Sequence, residues 1–575
     1  MLVSLKKFLP RGSVAVILKS TEAGIDLVLP MIMADIIDNG VYTGKLNYIL
    51  QKGSFMVGLA TVGYISAIFC NYFAVTASQG FGADLRERIY TKIQNFNMLQ
   101  MNKFSQSSLI TRLTKDVNQV VTMFLMSMRM VLRGLVTGIG AIIFSFIINP
   151  KLATIILGIV SITIFLTRYY MKKSMPLYSL IQKKLDGVTL ILRENLLGIR
   201  VIKALSKEKI EERKFDEKNE DLSSSTATAD NIMDSKTPFI SLLINSGVVM
   251  ILWFGGIDVS VGTIRVGEVI AIINYLNMLL FSMNALSFLF SMSSKTMVSG
   301  KRINEILKEP IENIRGKADI STENILEFRE VYFKYGDNSS YALENINFNI
   351  ARGEKVAIIG GIGSGKTTLI DLIPRFYEVT EGAIYLNGKD IRNYSLKELR
   401  SKIALVLQKS FLFSQSIEEN MRWAKEDATA EEIQEALKIS QGAEFVENLP
   451  EGSKTKLSKG GNNLSGGQKQ RLSIARTILK DSEILIFDDS FSALDFLTEG
   501  KLKDEIKKRM ENKTIITISQ RISSIVHSDK IIVLDRGRVV GIGTHGELIE
   551  KSKIYKEICQ SQEFCAQERG DLDEN

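Results

Sequence analysis

The chain has 575 residues, too long for one hydrophobic core, so two or more domains are expected. Its 45% hydrophobic content is concentrated before about residue 300, which excludes a wholly soluble protein. The net charge of +8 lies largely beside those apolar runs, as the positive-inside rule requires, and this placement argues against a nucleic-acid partner.

Three cysteines (Cys70, Cys559 and Cys565) give no framework of bridges. Residues Met1 to Lys7 are not followed by a short apolar core with a small-residue cleavage site, so no removable signal peptide is expected. Six stretches of roughly 20 apolar residues read as membrane helices: about Val14–Ile37, Gly53–Thr76, Val131–Ile148, Leu152–Tyr170, Ile240–Val259 and Val269–Phe290. Only Asn149-Pro150-Lys151 separates the third from the fourth. The long basic loops Arg86–Asn118 and Tyr170–Lys236 face the cytoplasm, as do both termini. Both loops keep apolar residues at helical spacing, so the membrane helices are expected to continue beyond the bilayer.

Two features of the apolar half bear charge. Glu22 and Asp26 lie one turn apart near mid-bilayer, and intramembrane carboxylates face a bundle interior or a watery cavity. They read either as a site for cationic, amphipathic substrates or as partners of Lys19 or of an arginine on another helix. Arg129 and Arg133 share a face at the start of the third span and are expected to snorkel to the cytoplasmic interface.

The organisation expected is a six-helix transmembrane domain (1–307), a linker (308–324), a soluble α/β domain (325–565) and an acidic tail (566–575). In the soluble domain, strands are expected at Glu327–Phe333, Ala342–Ile350, Lys355–Ile359, Ile403–Leu407, Ile484–Phe487, Thr514–Ser519 and Lys530–Leu534. A helical region over about Thr429–Leu479 interrupts this single mixed sheet.

Gly360-Gly361-Ile362-Gly363-Ser364-Gly365-Lys366-Thr367 follows a strand and opens a helix, the context of a phosphate-binding loop. Backbone N–H groups would receive phosphate oxygens, Lys366 would reach the β- and γ-phosphates, and Thr367 would ligate Mg²⁺. Asp488 ends an apolar strand and would present a carboxylate to that metal, and Gln408 follows another strand within reach of metal or attacking water. Leu464-Ser465-Gly466-Gly467-Gln468 opens a helix with a hydroxyl and bare N–H groups at its positive end, a second anion site. Because the first loop already serves its own nucleotide, this element reads as the lid over another subunit's γ-phosphate.

On these motifs the chain resembles an ATP-binding cassette (ABC) transporter half of the exporter type, over nearly its whole length. The resemblance implies a membrane α-helical domain plus an α/β P-loop ATPase domain with an inserted helical subdomain, in a bacterial inner membrane. It implies ATP and Mg²⁺ as cofactors, with the lipid bilayer, a small lipophilic substrate and a second half-transporter as partners. It assigns Tyr335 to adenine, Gly360 to Thr368 to Walker A, Gln408 to the Q-loop and Asp488 to Walker B. It makes Leu464 to Gln468 the signature and Ser492 to Asp495 the D-loop. Asp489 then stands where the family has its catalytic glutamate, and Gln520 where it has its switch histidine. Asp489 is one methylene short, and a misplacement near ~1 Å costs on the order of 10²-fold. Gln520 donates a hydrogen bond but carries no positive charge. Lys459 replaces a glutamate that many exporters carry before the signature. These departures resemble the degenerate-site subunit of heterodimeric multidrug exporters, a reading in which Asp489, Gln520 and Gln408 do the slow site's chemistry. A homodimer with two slow sites, a channel-like or regulatory ABC protein, and an exporter-fold importer of a metal chelate are the alternatives.

Overall fold

The computed structural model describes residues 2–310, 323–336 and 339–562, so most of the expected linker and the whole acidic tail lie outside the described residues. The chain divides into a helical unit (1–95 and 105–309) and an α/β unit (96–104 and 310–575).

In the helical unit the expected spans become much longer helices. Leu46–Gln94 runs for 49 residues without proline, Pro150–Leu197 for 48 and Val266–Lys308 for 43. At 1.5 Å per residue the longest extends about 74 Å, more than twice the ~30 Å of a hydrocarbon core. The apolar periodicity of the basic loops thus reports helical extensions. Among the described residues five helical stretches are long and apolar enough to cross a membrane: Leu46–Gln94, Gln106–Ile148, Pro150–Leu197, Glu208–Ser260 and Val266–Met283. The first predicted span falls, except for Ile37, within one helix, Leu2–Ile36, and carries Lys19, Glu22 and Asp26.

The turn between the third and fourth spans forms as its sequence requires. Asn149 accepts a hydrogen bond from the Leu152 amide (3.1 Å), and Pro150 occupies the first turn, where its missing N–H has no cost. The core of this unit gathers Leu27, Ile156, Ile251, Ile272, Tyr275 and Leu276. Tyr275 is fully buried, and its hydroxyl donates to the Leu27 carbonyl (2.7 Å), tying the last helix to the first. Farther along, Lys184 pairs with Asp221 (2.7 Å) and the Tyr178 hydroxyl with Asp230 (3.0 Å), holding the extensions of Pro150–Leu197 and Glu208–Asp234 side by side.

The α/β unit holds two sheets rather than one. Strands β1 (Asn324–Phe333), β2 (Leu343–Ala351), β4 (Glu381–Leu386) and β5 (Lys389–Asp390) form an antiparallel sheet in the order β2-β1-β4-β5. Strands β3 (Lys355–Gly360), β6 (Ile403–Val406), β7 (Ile484–Asp488), β8 (Thr514–Ile518), β9 (Lys530–Asp535) and β10 (Arg538–Gly543) form the other, in the order β10-β9-β3-β8-β7-β6. All pairs in this second sheet are parallel except β9 with β10. Sequence reading missed β4, β5 and β10. β5 is two residues long and β10 buries none of its residues, so neither carries the apolar run that marks a buried strand.

The inserted helical region is also more broken than expected. It starts at Ile417–Arg422, continues as Ala430–Ile439 and Ala443–Glu447, and resumes only at Gly466–Leu479. Short 3₁₀ turns and the Ser416–Lys456 bridge fill the gap. The helix Met98–Phe104, between two membrane helices in sequence, packs within the α/β unit. Its Met98 amide donates to the Phe376 carbonyl (3.2 Å) and Asn102 to the Tyr377 hydroxyl (3.3 Å).

Candidate nucleotide-binding site

The parallel sheet collects the chemistry at one edge. In an open α/β sheet, ligands bind outside the carboxyl ends of the strands. Here the glycine loop follows β3, Asp488 ends β7, Gln520 follows β8 and Gln408 follows β6. Strand β8 lies between β3 and β7, with Ile358 and Asp488 both opposite Ile518. Gln520 is therefore delivered between the glycine loop and the two aspartates.

The loop's glycines have steric causes. A side chain at Gly360 would place its Cβ 2.2 Å from the Leu534 carbonyl oxygen, because β3 pairs there with β9. Gly365 has φ of +100° and would strike Leu343 at 2.8 Å. Lys366 opens the helix Lys366–Leu372, and its Nζ donates to the Gly360 (2.8 Å) and Gly361 (2.7 Å) carbonyls. The loop thus wraps its own ammonium. Burial lowers the Lys366 pKa, opposed by the nearby charges of Asp489 and Asp488.

A cavity of about 610 Å³ brings together Tyr335, Gly363, Ser364, Gly365, Lys366, Thr367, Thr368, Gln408, Asp488, Asp489 and Gln520. Every sequence-predicted residue of this chain's own nucleotide site therefore converges, apart from Gly360 and Gly361 at the base of the loop. The Tyr335 and Thr368 hydroxyls are hydrogen-bonded (2.8 Å), and the ring stands edge-on to Phe333 and Tyr377, which leaves it 45% exposed toward the cavity.

Asp488 is buried, and that burial raises its pKa to about 6, with Asp489 adding and Lys366 opposing. Asp489 adopts a left-handed backbone (φ 45°), which an aspartate tolerates better than most residues. Its amide donates to the Ile518 carbonyl (2.9 Å) and its carbonyl accepts from Ser492 Oγ (2.8 Å). The Gln520 side chain is exposed at the cavity, while its carbonyl accepts from Gln562 (2.6 Å). The Thr367 hydroxyl, Gln408 amide oxygen and Asp488 carboxylate form a hard oxygen set that suits Mg²⁺.

Sequence reading missed two lining residues and one buried neighbour of Asp488. Arg536 and Tyr341 also line the cavity. The signal for Arg536 was positional: Gly360 pairs with Leu534, so the turn after β9 must lie beside the glycine loop, and the Gly537 amide does donate to the Ser364 carbonyl (3.0 Å). Asp371, one turn along the helix from Thr367, is raised to about 6 by burial and by the Asp488 charge.

The second anion element is not in this cavity. Ser465 caps Gly466–Leu479 by accepting from the Gln468 amide (3.3 Å), and the Gln468 side chain accepts from the Ser465 amide (2.9 Å). Ser465 and Gly466 are exposed, and a Cβ at Gly467 would sit 3.2 Å from the Ala493 carbonyl. The helix start thus borders Ser492–Asp495 and faces outward. Farther along the same helix, buried Gln470 is hydrogen-bonded to Ser410, two residues past Gln408. Lys459 is exposed in a 3₁₀ turn ahead of the element.

The charges of the apolar half also meet. Lys19 Nζ lies 2.6 and 2.8 Å from the Glu22 carboxylate, and Arg133 lies 3.0 Å from Asp26 and 3.5 Å from Glu22. The pairing of both carboxylates with Lys19 and an arginine of another helix is what the structure contains. Arg129 and Arg133, expected to snorkel, both line a cavity of the helical unit.

A phosphate-gripping α/β unit in one chain with a bundle of membrane-length helices defines an ATP-binding membrane transport protein. Residues 13–283 match the family model described as the ABC transporter transmembrane region, and residues 343–492 match that described as ABC transporter. The chain is 37% identical over 97% of both lengths to an uncharacterised ABC transporter ATP-binding protein, YfiB, of Bacillus subtilis. It is 31% identical to an ATP-dependent lipid A-core flippase of Hahella chejuensis, over 88% of this chain and 87% of that protein. A solved bacterial Atm1-family ABC exporter with ATP bound shares the fold with a TM-score of 0.80 at 24% identity, covering 97% of this chain and 98% of that one. The chain belongs to the ABC transporter family. It is a multi-pass membrane protein of exporter fold whose ATPase domain is coupled to transport.

Proposed function

We propose that this chain is the degenerate-site subunit of a heterodimeric exporter of lipophilic or amphipathic compounds. Its Walker site would hold ATP tightly and cleave it slowly. Its signature helix would complete the partner's fast site. The observation that carries this reading is that Asp489 and Gln520 line the same cavity as Lys366, where a longer carboxylate and an imidazole would otherwise serve.

Each residue has a role in that scheme. Gly360, Gly361, Gly363, Ser364, Gly365 and Thr368 cradle phosphates with Lys366, and the exposed ring of Tyr335 is placed for adenine. Thr367, Gln408 and Asp488 would hold Mg²⁺, which would neutralise charge on the phosphate oxygens when bound. Asp489 and Gln520 would orient water without the reach or charge needed for fast cleavage. The outward-facing start of Gly466–Leu479 supports service to another subunit: Ser465, Gly466, Gly467 and Gln468 offer a hydroxyl and N–H groups to a second chain's γ-phosphate. The segment Met98–Phe104, tied to Phe376 and Tyr377, would carry cassette motion to the helices.

The test is ATPase activity of the assembled pair at saturating ATP. Ser465→Trp is expected to abolish it, and Asp489→Asn to leave most of it. If Asp489→Asn is the more damaging change, the division of labour is wrong. The flippase relative favours lipid as the cargo, and the second reading is a homodimer with two slow sites that moves lipid. Under that reading the purified chain alone turns over ATP and loses this activity on Asp489→Asn.

A further inference from the structure

In the helical unit a cavity of about 580 Å³ is lined by residues of the first, third and last helices. Its charged lining is Lys19, Asp26, Arg129 and Arg133. Lys19 is matched by Glu22, and Arg133 by Asp26. Arg129 has no ion-pair partner among the described residues, so the wall carries a surplus positive charge. An uncompensated guanidinium at membrane depth is costly and marks a site whose counter-charge comes from elsewhere.

The chemistry of the lining says what that counter-charge is. Arg129 lies in a π-helical turn, Ser127–Val131, a distortion frequent at functional sites. The cavity's apolar wall is Met126, Met130, Met278 and Phe281, flexible or flat side chains that accept varied chains.

We propose that this cavity binds amphipathic anions, with a phosphate or carboxylate head on Arg129 beside Arg133 and an apolar chain against the methionines and Phe281. Guanidinium groups recognise such heads through paired, charge-assisted hydrogen bonds. The cationic substrates expected from Glu22 and Asp26 are disfavoured, because both carboxylates are already engaged. This inference rests on the exporter reading and names its substrate class.

The experiment titrates the full-length chain, without ATP, in phosphatidylcholine nanodiscs with three probes of equal tail: dodecyl phosphate, dodecyltrimethylammonium and dodecyl maltoside. Dodecyl phosphate is expected to bind at least about tenfold tighter than the other two. Arg129→Gln should erase that preference and Arg129→Lys should keep most of it. Equal dodecyl maltoside affinity across the variants shows that the cavity is intact. Equal affinity for all three probes, or a preference that survives Arg129→Gln, overturns the proposal. Repeating the titration in nanodiscs containing phosphatidic acid separates the sources: competition assigns the site to a bilayer lipid, its absence to a free amphiphile, and either outcome upholds the anion site. A pair that binds dodecyl phosphate but pumps nothing loses the exporter reading and keeps the site. A pair that pumps a cation while failing the titration loses only the site.

Discussion

The two charged clusters of this protein are built in opposite ways. In the α/β unit, Lys366, Asp488 and Asp489 come from a helix start, a strand end and the residue after it, and burial there holds Asp488 up and Lys366 down, away from their charged forms. In the helical unit, Lys19, Glu22, Asp26 and Arg133 come from two helices and satisfy one another at 2.6 to 3.5 Å. The first arrangement is unfinished without a ligand. The second is largely complete, with Arg129 as the exception. A cluster that leaves charge frustrated is poised to bind, whereas one that cancels charge holds helices together.

The sharpest way to break this contrast is to repair the nucleotide site. Asp489→Glu with Gln520→His is expected to raise the ATPase rate of the purified chain by on the order of 10²-fold, because both the reach and the charge are restored. An unchanged rate in a steady-state assay would mean that the defect lies elsewhere. A smaller effect is expected from opening the helical cluster. Arg133→Leu strands Asp26, at a cost between the ~1 kcal/mol of an exposed pair and the 3–5 kcal/mol of a buried one. Thermal unfolding should show a loss that Arg133→Leu with Asp26→Leu largely recovers. No recovery would make Arg133 a substrate ligand rather than a strut.

The smallest effect sharpens the frustration argument. Burial and the Asp488 charge raise Asp371 from its ordinary 3.8 to about 6. A raised acid leaves stability untouched below the unfolded pKa and removes it as pH climbs from 3.8 through about 6. Asp371→Asn should therefore stabilise the metal-free protein progressively from pH 4.5 to 7, read from its unfolding midpoint. A gap between variant and wild type that is flat with pH would remove the electrostatic explanation.

The contrast also explains what the sequence made legible. The glycine loop, the Ser465 cap and the acidic strand end are local patterns, set by spacing within about ten residues, and the structure places each where its pattern implied. Arg536 was invisible because only strand order brings it to the cavity, and Asp371 because only a helix turn carries it into the field of Asp488. The Arg133–Asp26 pair joins residues 107 apart, so no local period could announce it. Strands β5 and β10 were missed because a two-residue strand and an edge strand with no buried residue lack an apolar signature, whereas β4, an interior strand with four buried residues, carried one that was overlooked. The first span is less apolar than the others because it carries Lys19, Glu22 and Asp26, whose charges are matched within the helix and by Arg133 across the bundle.

Helix length has a mechanical consequence. A proline-free rod of 49 residues pivoting about one end by about 5° sweeps its other end through about 6 Å, more than the rise of one helical turn. Pro150–Leu197 is nearly as long but contains Pro176, where a missing hydrogen bond gives the rod a bending point. Two spans of similar reach thus have different gearing. The first converts a small tilt at one end into a large stroke at the other, and the second can absorb part of that stroke at its joint.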